Sequence, residues 1–524
     1  MVWGNLEGYA LEVTLTAANS AGQAWYGYDQ GIISGILISS TFIEAFPQTK
    51  VTDIQGITAS CFSLGNLVGC LLAAIFGDWL GRKNTLRCGA AISGLGAILQ
   101  AAAVNFPMLI IGRIINGFGN GIVSSTVGVY QAESVRGERR GKLSVIVVLH
   151  NVIFYMIGSW LTLGTSFSSS SLQWRLPLGL QLVPCFAMTF FLQWVPESPR
   201  WLLLHDRIDE GHESLRRYLG KGLRPDDENV MHQLMSIRGA IQIERESQLS
   251  FMEVLRGHDR SGSFRRLLLG CGGQFMQQFG GINALNYYFP TILEKNLGMS
   301  NLMSRILTGC NATSYAISTA MAFWLIESAG RRSLMLHGAS LQFIAYVLVA
   351  ISVALLPTNE QAWGGVAVTF LFFYYAAFGC TWGMVPWVYQ AEINSLGMRT
   401  KGAAAATATN WLAGFVCTQF TPTGIKNIGY GFYIIFACFN LAFIVIVYFL
   451  YPETAGRTLE DLNSYFDIDS GNGWFIAIGD KEAKSRQRPL AAIEAEEARV
   501  AAATSAKIVD SGKDGNTHIE QADV

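Results

Sequence analysis

The sequence predicts an all-α membrane protein whose twelve transmembrane helices form two pseudo-symmetric six-helix bundles. Of its 524 residues, 51% are hydrophobic and only 14% are charged, whereas a soluble domain carries about 25% charged residues. Apolar runs of about 20 residues, the length that crosses a bilayer core, recur roughly twelve times. Short charged motifs then repeat in the same order in the two halves of the chain.

The apolar runs fall into two sets of six. They lie near 14–38, 54–77, 85–104, 107–132, 143–165 and 174–195, and near 266–292, 302–326, 333–356, 363–388, 403–421 and 430–451. The first run is the weakest because Glu12, Asn19, Gln23 and Asp29 interrupt it. Its position before eleven stronger runs supports it as a span.

Polar stretches divide the chain into five parts. We predict a short cytosolic N-terminus (1–13), an N-terminal bundle (14–196), a cytosolic linker with short helices (197–265), a C-terminal bundle (266–452) and a cytosolic tail (453–524). Lys and Arg concentrate between runs 2–3, 4–5, 6–7, 8–9 and 10–11. Since basic loops stay on the cytosolic side, both termini are expected in the cytosol.

Composition also excludes several classes of function. The net charge of -1 gives no reason to expect a nucleic-acid partner. The nine cysteines fall in apolar runs without a C-x-x-C pair, so neither a metal site nor another cofactor is expected. No nucleotide-binding or Ser-His-Asp motif has a plausible context, which argues against an enzyme and against ATP-driven transport.

Three charged motifs recur about 250 residues apart, as parallel repeats of a two-lobed transporter do. GDWLGRK (77–83) corresponds to ESAGRR (327–332), QAESVRGERRGK (131–142) to QAEINSLGMRTKG (390–402), and PESPRW (196–201) to PETAGR (452–457). Each motif places an acid and a base at the cytosolic end of a helix. Such pairs either anchor helix ends or form a conformational gate, and their repetition favours the gate. The predicted gate residues are Asp78, Arg82, Glu133, Arg140 and Glu197, with Glu327, Arg331, Glu392, Arg399 and Glu453 in the second half.

Together with further motifs, these segments resemble the sugar-porter family of the major facilitator superfamily, and fungal members most closely. The resemblance covers residues 25–460 and includes GYDQGIISG (27–35), GRIINGFGNG (112–121), QQFGGINALNYY (277–288) and PETAGRTLEDL (452–462). It implies the major facilitator fold and a plasma-membrane monomer that moves a sugar or related polyhydroxy solute. Proton symport by alternating access is the favoured mechanism. Facilitated diffusion, a transport-inactive sugar sensor and quinate or polyol transport remain alternatives.

Asp29 is a carboxyl in the middle of the first run, and an ionisable group inside a membrane segment is a functional hypothesis by default. The resemblance implies that Asp29 pairs with Arg113 of the fourth run and that protonation releases the pair. The alternative is a static pair that holds two helices together.

A sugar site needs amides, which both donate and accept, and an aromatic platform. Run 7 carries Asn286 and three amides at family sugar-contact positions. The alternative role for such amides is to bond helices together. The resemblance implies solute contacts at Gln277, Gln278, Asn283, Asn311, Gly383, Trp387, Asn410 and Trp411, and gating by Tyr287 and Tyr288.

The sequence departs from the family in helix 5. Val148 stands where many members carry a Gln, and His150 and Asn151 follow it. Trp25 stands where the family usually carries Phe or Leu, one turn before Asp29, and we expect it to narrow the solute site. Met384 and Pro386 reshape the tenth helix near the platform. These changes leave a pentose, an oligosaccharide, a polyol or a cyclic acid such as quinate as possible solutes.

Overall fold

A computed structural model describes residues 6–486, apart from 221, 225, 247–250, 257–258, 260, 458 and 468–471. Within these residues the chain is helical, and its helices are numbered α1 to α22 in chain order. Twelve long segments form two bundles, as the sequence predicts. We call α1–α8 the N-half and α13–α20 the C-half.

The N-half contains the first six long segments. A 3-10 turn, Pro47–Lys50, follows α2. The sixth predicted run is divided at Gln181, with Pro177 in the helix before the break and Pro184 in the helix after it. Proline lacks an N–H and cannot continue the helical hydrogen bonds. The helices are α1 (Tyr9–Leu37), α2 (Ser40–Ala45), α3 (Thr52–Leu80), α4 (Arg82–Ala101), α5 (Phe106–Ser134), α6 (Gly137–Ser166), α7 (Leu172–Leu180) and α8 (Leu182–Phe191).

Short helices form the linker, and the remaining long segments form the C-half. The linker helices are α9 (Pro199–Leu204), α10 (Ile208–Leu219), α11 (Glu228–Glu246) and α12 (Phe251–Leu255). The C-half helices are α13 (Ser263–Phe279), α14 (Ile282–Lys295), α15 (Asn301–Ala329), α16 (Arg331–Leu355), α17 (Glu360–Cys380), α18 (Val385–Ile393), α19 (Arg399–Ile428) and α20 (Gly431–Leu450). Two 3-10 turns, Leu356–Thr358 and Leu396–Met398, and the tail helices α21 (Leu459–Phe466) and α22 (Lys481–Lys484) complete the order.

Six segments of the described chain are long and apolar enough to cross a membrane by length and composition alone. The other long segments are divided or carry more polar side chains, which then lie inside the bundle. Those six are Thr52–Leu80, Phe106–Ser134, Leu143–Ser166, Arg331–Thr358, Glu360–Ile393 and Gly431–Leu450.

The weak first run becomes a full helix, and the acidic group near its start is buried with cationic partners. The Glu12 carboxylate is fully buried and accepts hydrogen bonds from Arg136 at 2.9 Å and Arg139 at 3.3 Å. Further along α1, Gly27 faces the backbone of α6 so closely that a Cβ would lie 1.8 Å from the Asn151 carbonyl oxygen. Polar pairing and glycine-mediated contact therefore hold this helix against its neighbour.

The two ends of the bundle differ. We call the end that carries the repeated charged motifs the motif end, and the other the opposite end. At the opposite end hydrogen bonds join the two halves: Ser60 Oγ donates to Gln419 Oε1 at 2.8 Å, and Thr423 Oγ1 donates to Asp53 Oδ1 at 2.6 Å. The halves are therefore held together at the opposite end in this conformation.

Candidate functional site

The structure brings Asp29 of α1 and Arg113 of α5 together inside the N-half. Both side chains are fully buried, and Asp29 Oδ2 lies 3.6 Å from Arg113 Nη2. The guanidinium makes long hydrogen bonds to Gln100 Oε1 (3.5 Å) and the Ala59 carbonyl oxygen (3.4 Å). It also lies 5.6 Å from the centre of the Phe62 ring.

The contacts of this pair are unequal. Arg113 has other polar partners, whereas neither carboxylate oxygen of Asp29 has a hydrogen-bond partner among the described residues. The charge of Asp29 is therefore balanced mainly by one cation across 3.6 Å. A carboxyl in such surroundings can exist charged beside Arg113 or neutral after protonation, and only the charged form attracts Arg113.

Three predicted solute-binding amides form one network in the C-half. Asn410 Nδ2 of α19 donates to Gln277 Oε1 of α13 at 2.8 Å, and Gln278 Nε2 donates to Asn410 Oδ1 at 3.1 Å. Two further glutamines join them: Asn410 Nδ2 also donates to Gln274 Oε1 at 2.6 Å, and Gln274 Nε2 donates to Gln390 Oε1 at 3.0 Å. Sequence reasoning missed Gln274 and Gln390, although Gln390 lies in the repeated QAE motif.

A break in the tenth long segment explains why the Gln277 side chain bonds to the backbone of that segment. Pro386 follows Trp382 by four residues and has no N–H, so it cannot bond to the Trp382 carbonyl as a helical residue would. Gln277 Nε2 fills that role, donating to the Trp382 oxygen at 2.7 Å and to the Gly383 oxygen at 3.3 Å. The predicted site residues Gln277 and Gly383 are therefore in direct contact.

A second break lies inside the QQFGGINALNYY motif. Gly281 adopts φ +98°, and a Cβ there would lie 2.0 Å from the Tyr346 hydroxyl. The Gly280 carbonyl accepts the Tyr374 hydroxyl at 2.8 Å. This break separates Gln278 from Asn283, yet both point toward Gly414, where a Cβ would meet Asn283 Nδ2 at 2.9 Å and Gln278 Oε1 at 3.4 Å.

Several buried polar atoms of α13, α14, α15 and α19 have no hydrogen-bond partner among the described residues. Buried polar atoms are rarely left unpaired, so each such atom needs an explanation. The atoms are Gln278 Oε1, Asn286 Oδ1, Asn311 Oδ1 and Trp411 Nε1. They include two hydrogen-bond acceptors and a donor at predicted solute-binding positions, a combination that suits hydroxyl groups.

Aromatic side chains connect the network to the N-half. Tyr26 of α1 packs edge-on against Trp411, with ring centres 5.1 Å apart, and Tyr155 of α6 packs edge-on against Tyr315 of α15 at 6.1 Å. Trp387 is only half-buried. The candidate site thus lies in the C-half beside an aromatic contact between the halves.

The two predicted tyrosine gates are fully buried in α14. Tyr288 donates to the Thr418 carbonyl oxygen at 3.2 Å. Tyr287 has no exposed surface either. Both lie on the opposite-end portion of the seventh long segment, where the halves are in contact.

The departures from the family occupy three different environments. His150 Nδ1 lies 2.7 Å from the Ile146 carbonyl oxygen of its own helix, and Val148 is half-buried. Asn151 Nδ2 donates to the Gln23 carbonyl oxygen at 3.3 Å. Trp25 is 1% exposed and packs in the apolar core of the N-half, and its narrowing of the site stays a prediction.

In the N-half, the predicted gate residues converge on Arg82. Its guanidinium bonds Asp78 at 2.8 Å and Glu133 at 3.0 Å. The Glu197 carboxylate accepts the backbone N–H groups of Arg82 at 2.9 Å and Lys83 at 3.1 Å. Burial raises the pKa of Glu197, and these amide donors oppose the shift. Arg140 lies in α6, but its side chain is outside the described residues.

In the C-half, the corresponding residues repeat this geometry around Arg331. Its guanidinium lies 2.9 Å from Glu392 and 3.6 Å from Glu327. Glu453 accepts the backbone N–H groups of Arg331 at 2.8 Å and Arg332 at 3.1 Å. Each of these ion pairs lies within one half. Arg399 is half-buried at the start of α19.

Three further pairs of residues complete the repeat, and sequence reasoning missed them. Each pair could have been found by aligning the two halves. Gly81 and Gly330 share φ +84°, and a Cβ would lie 2.6 Å from Glu197 and 2.5 Å from Glu453. The other equivalent pairs are Ser198 with Thr454, which bond Glu133 and Glu392, and Tyr130 with Tyr389, which bond the Pro196 and Pro452 carbonyls.

Two pseudo-symmetric helical halves with polar groups buried between membrane-spanning helices define a multi-pass membrane transporter rather than an enzyme. The sequence matches the family described as "Sugar (and other) transporter" over residues 14–466. The chain therefore belongs to this sugar transporter family of the major facilitator superfamily, as the motifs predicted.

Fungal relatives support this assignment, and a bacterial structure shares the fold. The chain is 39% identical to the MFS-type transporter oryC of Aspergillus oryzae, over 96% of this chain and 93% of that one. It is 35% identical to the sugar transporter STL1 of Saccharomyces cerevisiae, over 88% and 82%. The fold matches the proton:xylose symporter XylE of E. coli, bound to 6-bromo-6-deoxy-D-glucose, with a TM-score of 0.72 and 23% identity over 87% and 99%.

Proposed function

We propose that this protein transports a sugar or sugar-like polyhydroxy solute by alternating access, coupled to proton entry. The observation that carries the solute class is the set of buried amide and indole atoms that lack partners, at Gln278, Asn311 and Trp411. Solute hydroxyls both donate and accept, so they can satisfy carbonyl oxygens and an indole N–H at once. Buried amide and indole atoms elsewhere in the described chain also lack partners, among them Asn19 Oδ1 and Trp174 Nε1, so what distinguishes these three is that all of them stand at predicted solute positions.

Solute binding would use the C-half as the main contact surface. Gln277 and Asn410 already bond to one another, so the network is preorganised and loses little freedom when a ligand binds. Asn283 points toward the same small surface at Gly414. Trp387 and Trp411 supply aromatic surface for the apolar face of a ring.

Proton coupling is assigned to Asp29. The carboxyl is fully buried, and its single ion-pair partner is 3.6 Å away, so its charge state controls its attraction to Arg113. Protonation would release Arg113 to its other partners in the N-half. Facilitated diffusion is the competing mechanism, in which the pair is static and the solute gradient alone drives transport.

The names of relatives leave the solute open. They include a high-affinity glucose transporter of Kluyveromyces lactis at 29% identity and a probable quinate permease of Aspergillus clavatus at 32%. Val148 stands in place of the usual helix-5 glutamine, which leaves quinate and polyols as possible solutes. Both classes therefore belong among the solutes that are tested. A high glucose sensor of Saccharomyces cerevisiae is 31% identical, over 84% of this chain and 59% of that one, so a transport-inactive sensor is kept as an alternative in the test.

The proposed orientation places the motif end and both termini in the cytosol, with the protein as a monomer in the plasma membrane. Arg82, Lys83, Arg331 and Arg332 lie at the motif end, and cationic loops are retained on the cytosolic side. The opposite end is then exofacial. Because the halves are bonded together there, the conformation described is closed to the outside.

The test is uptake of labelled D-glucose, D-xylose, glycerol and quinate by cells that lack their own transporters, with and without a protonophore. We expect one of these probes to be concentrated and the protonophore to abolish its accumulation. Asp29→Asn should lose accumulation but retain exchange of solute across the membrane. Glu360→Gln removes an exposed carboxylate at the start of α17 and serves as the matched control.

The outcomes separate the competing mechanisms. Accumulation that survives in Asp29→Asn would refute the coupling role of this carboxyl. Equilibration without accumulation, insensitive to the protonophore, would identify a uniporter. Surface expression with no flux of any probe, together with a signalling response to sugar, would identify a sensor.

A further inference from the structure

At the opposite end, one buried arginine of the C-half is bonded to the N-half. Arg305, in the first turns of α15, is 2% exposed. Its Nη1 donates to the Thr162 carbonyl oxygen at 3.1 Å, and its Nη2 donates to Ser39 Oγ at 3.0 Å. Thr162 lies in the last two turns of α6, and Ser39 lies between α1 and α2, so the guanidinium contacts two separate segments of the other half.

Asn301 orients this arginine and adds a third bond between the halves. Its Oδ1 accepts Arg305 Nε at 2.9 Å, and its Nδ2 donates to the Ile38 carbonyl oxygen at 3.1 Å. All three nitrogen positions of the guanidinium are thus occupied by oxygens. The direct partners of Arg305 are neutral oxygens, and the Glu294 carboxylate is one residue removed, accepting Asn301 Nδ2 at 3.4 Å.

We propose that Arg305 is the latch that holds the exofacial end closed, and that its release sets how often the transporter opens outward. The guanidinium is desolvated only while the halves are together, and water can replace its oxygen partners once they separate. A charged donor makes stronger hydrogen bonds than a neutral one, so the latch stabilises the closed state more than the Ser60–Gln419 contact does. Arg305 is a positioning residue, since it acts on the halves and not on the solute.

This inference rests on the alternating access of the proposed function but not on the identity of the solute. A ligand or mutation shifts a two-state equilibrium only through its differential effect on the two states. Removing the guanidinium weakens the closed state and leaves the solvated, open state almost unaffected. The population open to the outside should therefore rise by at least roughly tenfold.

The chain offers a matched control in Arg175 of α7. Its guanidinium also lies at the opposite end and donates two hydrogen bonds of 2.8 Å, to the carbonyl oxygens of Ala101 and Ala103. Both acceptors belong to the same half as Arg175. Arg175→Gln therefore removes a comparable set of bonds without releasing one half from the other.

The experiment uses a cysteine at Ser60 as the reporter of opening. Ser60 is fully buried and bonded to Gln419 across the interface, so a thiol there becomes reachable when the halves separate at this end. Intact cells expressing Ser60→Cys are treated with a membrane-impermeant maleimide, and labelling of surface protein is followed with time. The same backgrounds with Ser60 retained correct for native cysteines.

The predicted result is a labelling rate at least roughly tenfold higher in Arg305→Gln and intermediate in Arg305→Lys, which keeps the charge but not the planar fork. Arg175→Gln should leave the rate unchanged. Equal rates in Arg305→Gln and Arg175→Gln would overturn the latch, as would an unchanged rate in Arg305→Gln. If Arg305→Gln does not reach the surface, Ser39→Ala must raise the rate severalfold, and failure to do so overturns the inference.

These results are independent of the uptake panel. A transporter whose solute is not among the probes still shows the labelling difference, so a failed panel does not refute the latch. If Arg305→Gln leaves the labelling rate unchanged while uptake is normal, the proposed function stands and the latch does not.

Discussion

Gly330→Ala should destabilise the C-half because two independent costs fall on one position. Gly330 adopts φ +84° and ψ 162°, a region that is essentially restricted to glycine. Forcing a residue with a Cβ into that region costs about 1–3 kcal/mol. The Cβ would also lie 2.5 Å from Glu453 Oε2, so the carboxylate must move.

Movement of Glu453 adds the second cost. Its carboxylate accepts the Arg331 N–H at 2.8 Å and the Arg332 N–H at 3.1 Å. Losing one hydrogen bond to a charged acceptor costs about 1.5–3 kcal/mol. The total is about 2.5–6 kcal/mol, which should lower the midpoint of thermal unfolding of the C-half by at least about 5 °C.

Fluorescence-detected size-exclusion chromatography of heated, detergent-solubilised protein measures this shift. Gly298→Ala measures the cost of a positive φ without a steric clash, because Gly298 has φ +67° but no atom near its Cβ position. Gly365→Ala lies inside α17 with open space around it and should be neutral or stabilising. The reasoning fails if Gly330→Ala unfolds at the same temperature as Gly365→Ala.

Two further changes test the site and the first helix. Gln277→Leu removes the amide that bonds to Asn410 and to the carbonyl oxygens at the helix break. The half-saturation concentration for uptake should then rise at least about tenfold while surface expression persists. An unchanged half-saturation concentration would exclude Gln277 from the site. Arg136→Ala leaves the buried Glu12 carboxylate with fewer hydrogen-bond donors. It should lower the free energy of unfolding, followed by thermal unfolding, by about 1–3 kcal/mol. Arg207→Ala, which breaks an exposed pair, should cost less than about 1 kcal/mol, and equal effects of the two changes would contradict the role of burial.

The helices and the repeat were readable from the sequence because both depend on local pattern. The hydropathy of a run of apolar residues is enough to predict that the run spans the hydrocarbon core of a membrane. The repeated acids and bases lie at fixed distances from helix ends, so aligning the halves predicted one charged cluster that contains Arg82 and Glu133 and an equivalent one that contains Arg331 and Glu392. The structure places both pairs within hydrogen-bond distance.

The candidate site was predictable only through resemblance. Amides in run 7 are common packing groups, and nothing in their spacing distinguishes a solute contact from a bond between helices. The structure adds Gln274 and Gln390 to the amide network around Asn410. It also shows that Trp25 packs in the N-half core. It also shows that Gln277 compensates for the missing N–H of Pro386.

The sequence by itself determined the membrane class, the twelve segments and the pairing of charged motifs, since these follow from hydropathy and from a repeat along the chain. Only the tertiary structure decided which end of the bundle is closed and that Arg305 bonds the two halves together. That arginine lies far from Ser39 and Thr162 in the sequence and belongs to no repeated motif. Its contacts exist because the two halves meet, and a contact between their surfaces leaves no periodic signal in the sequence of either segment.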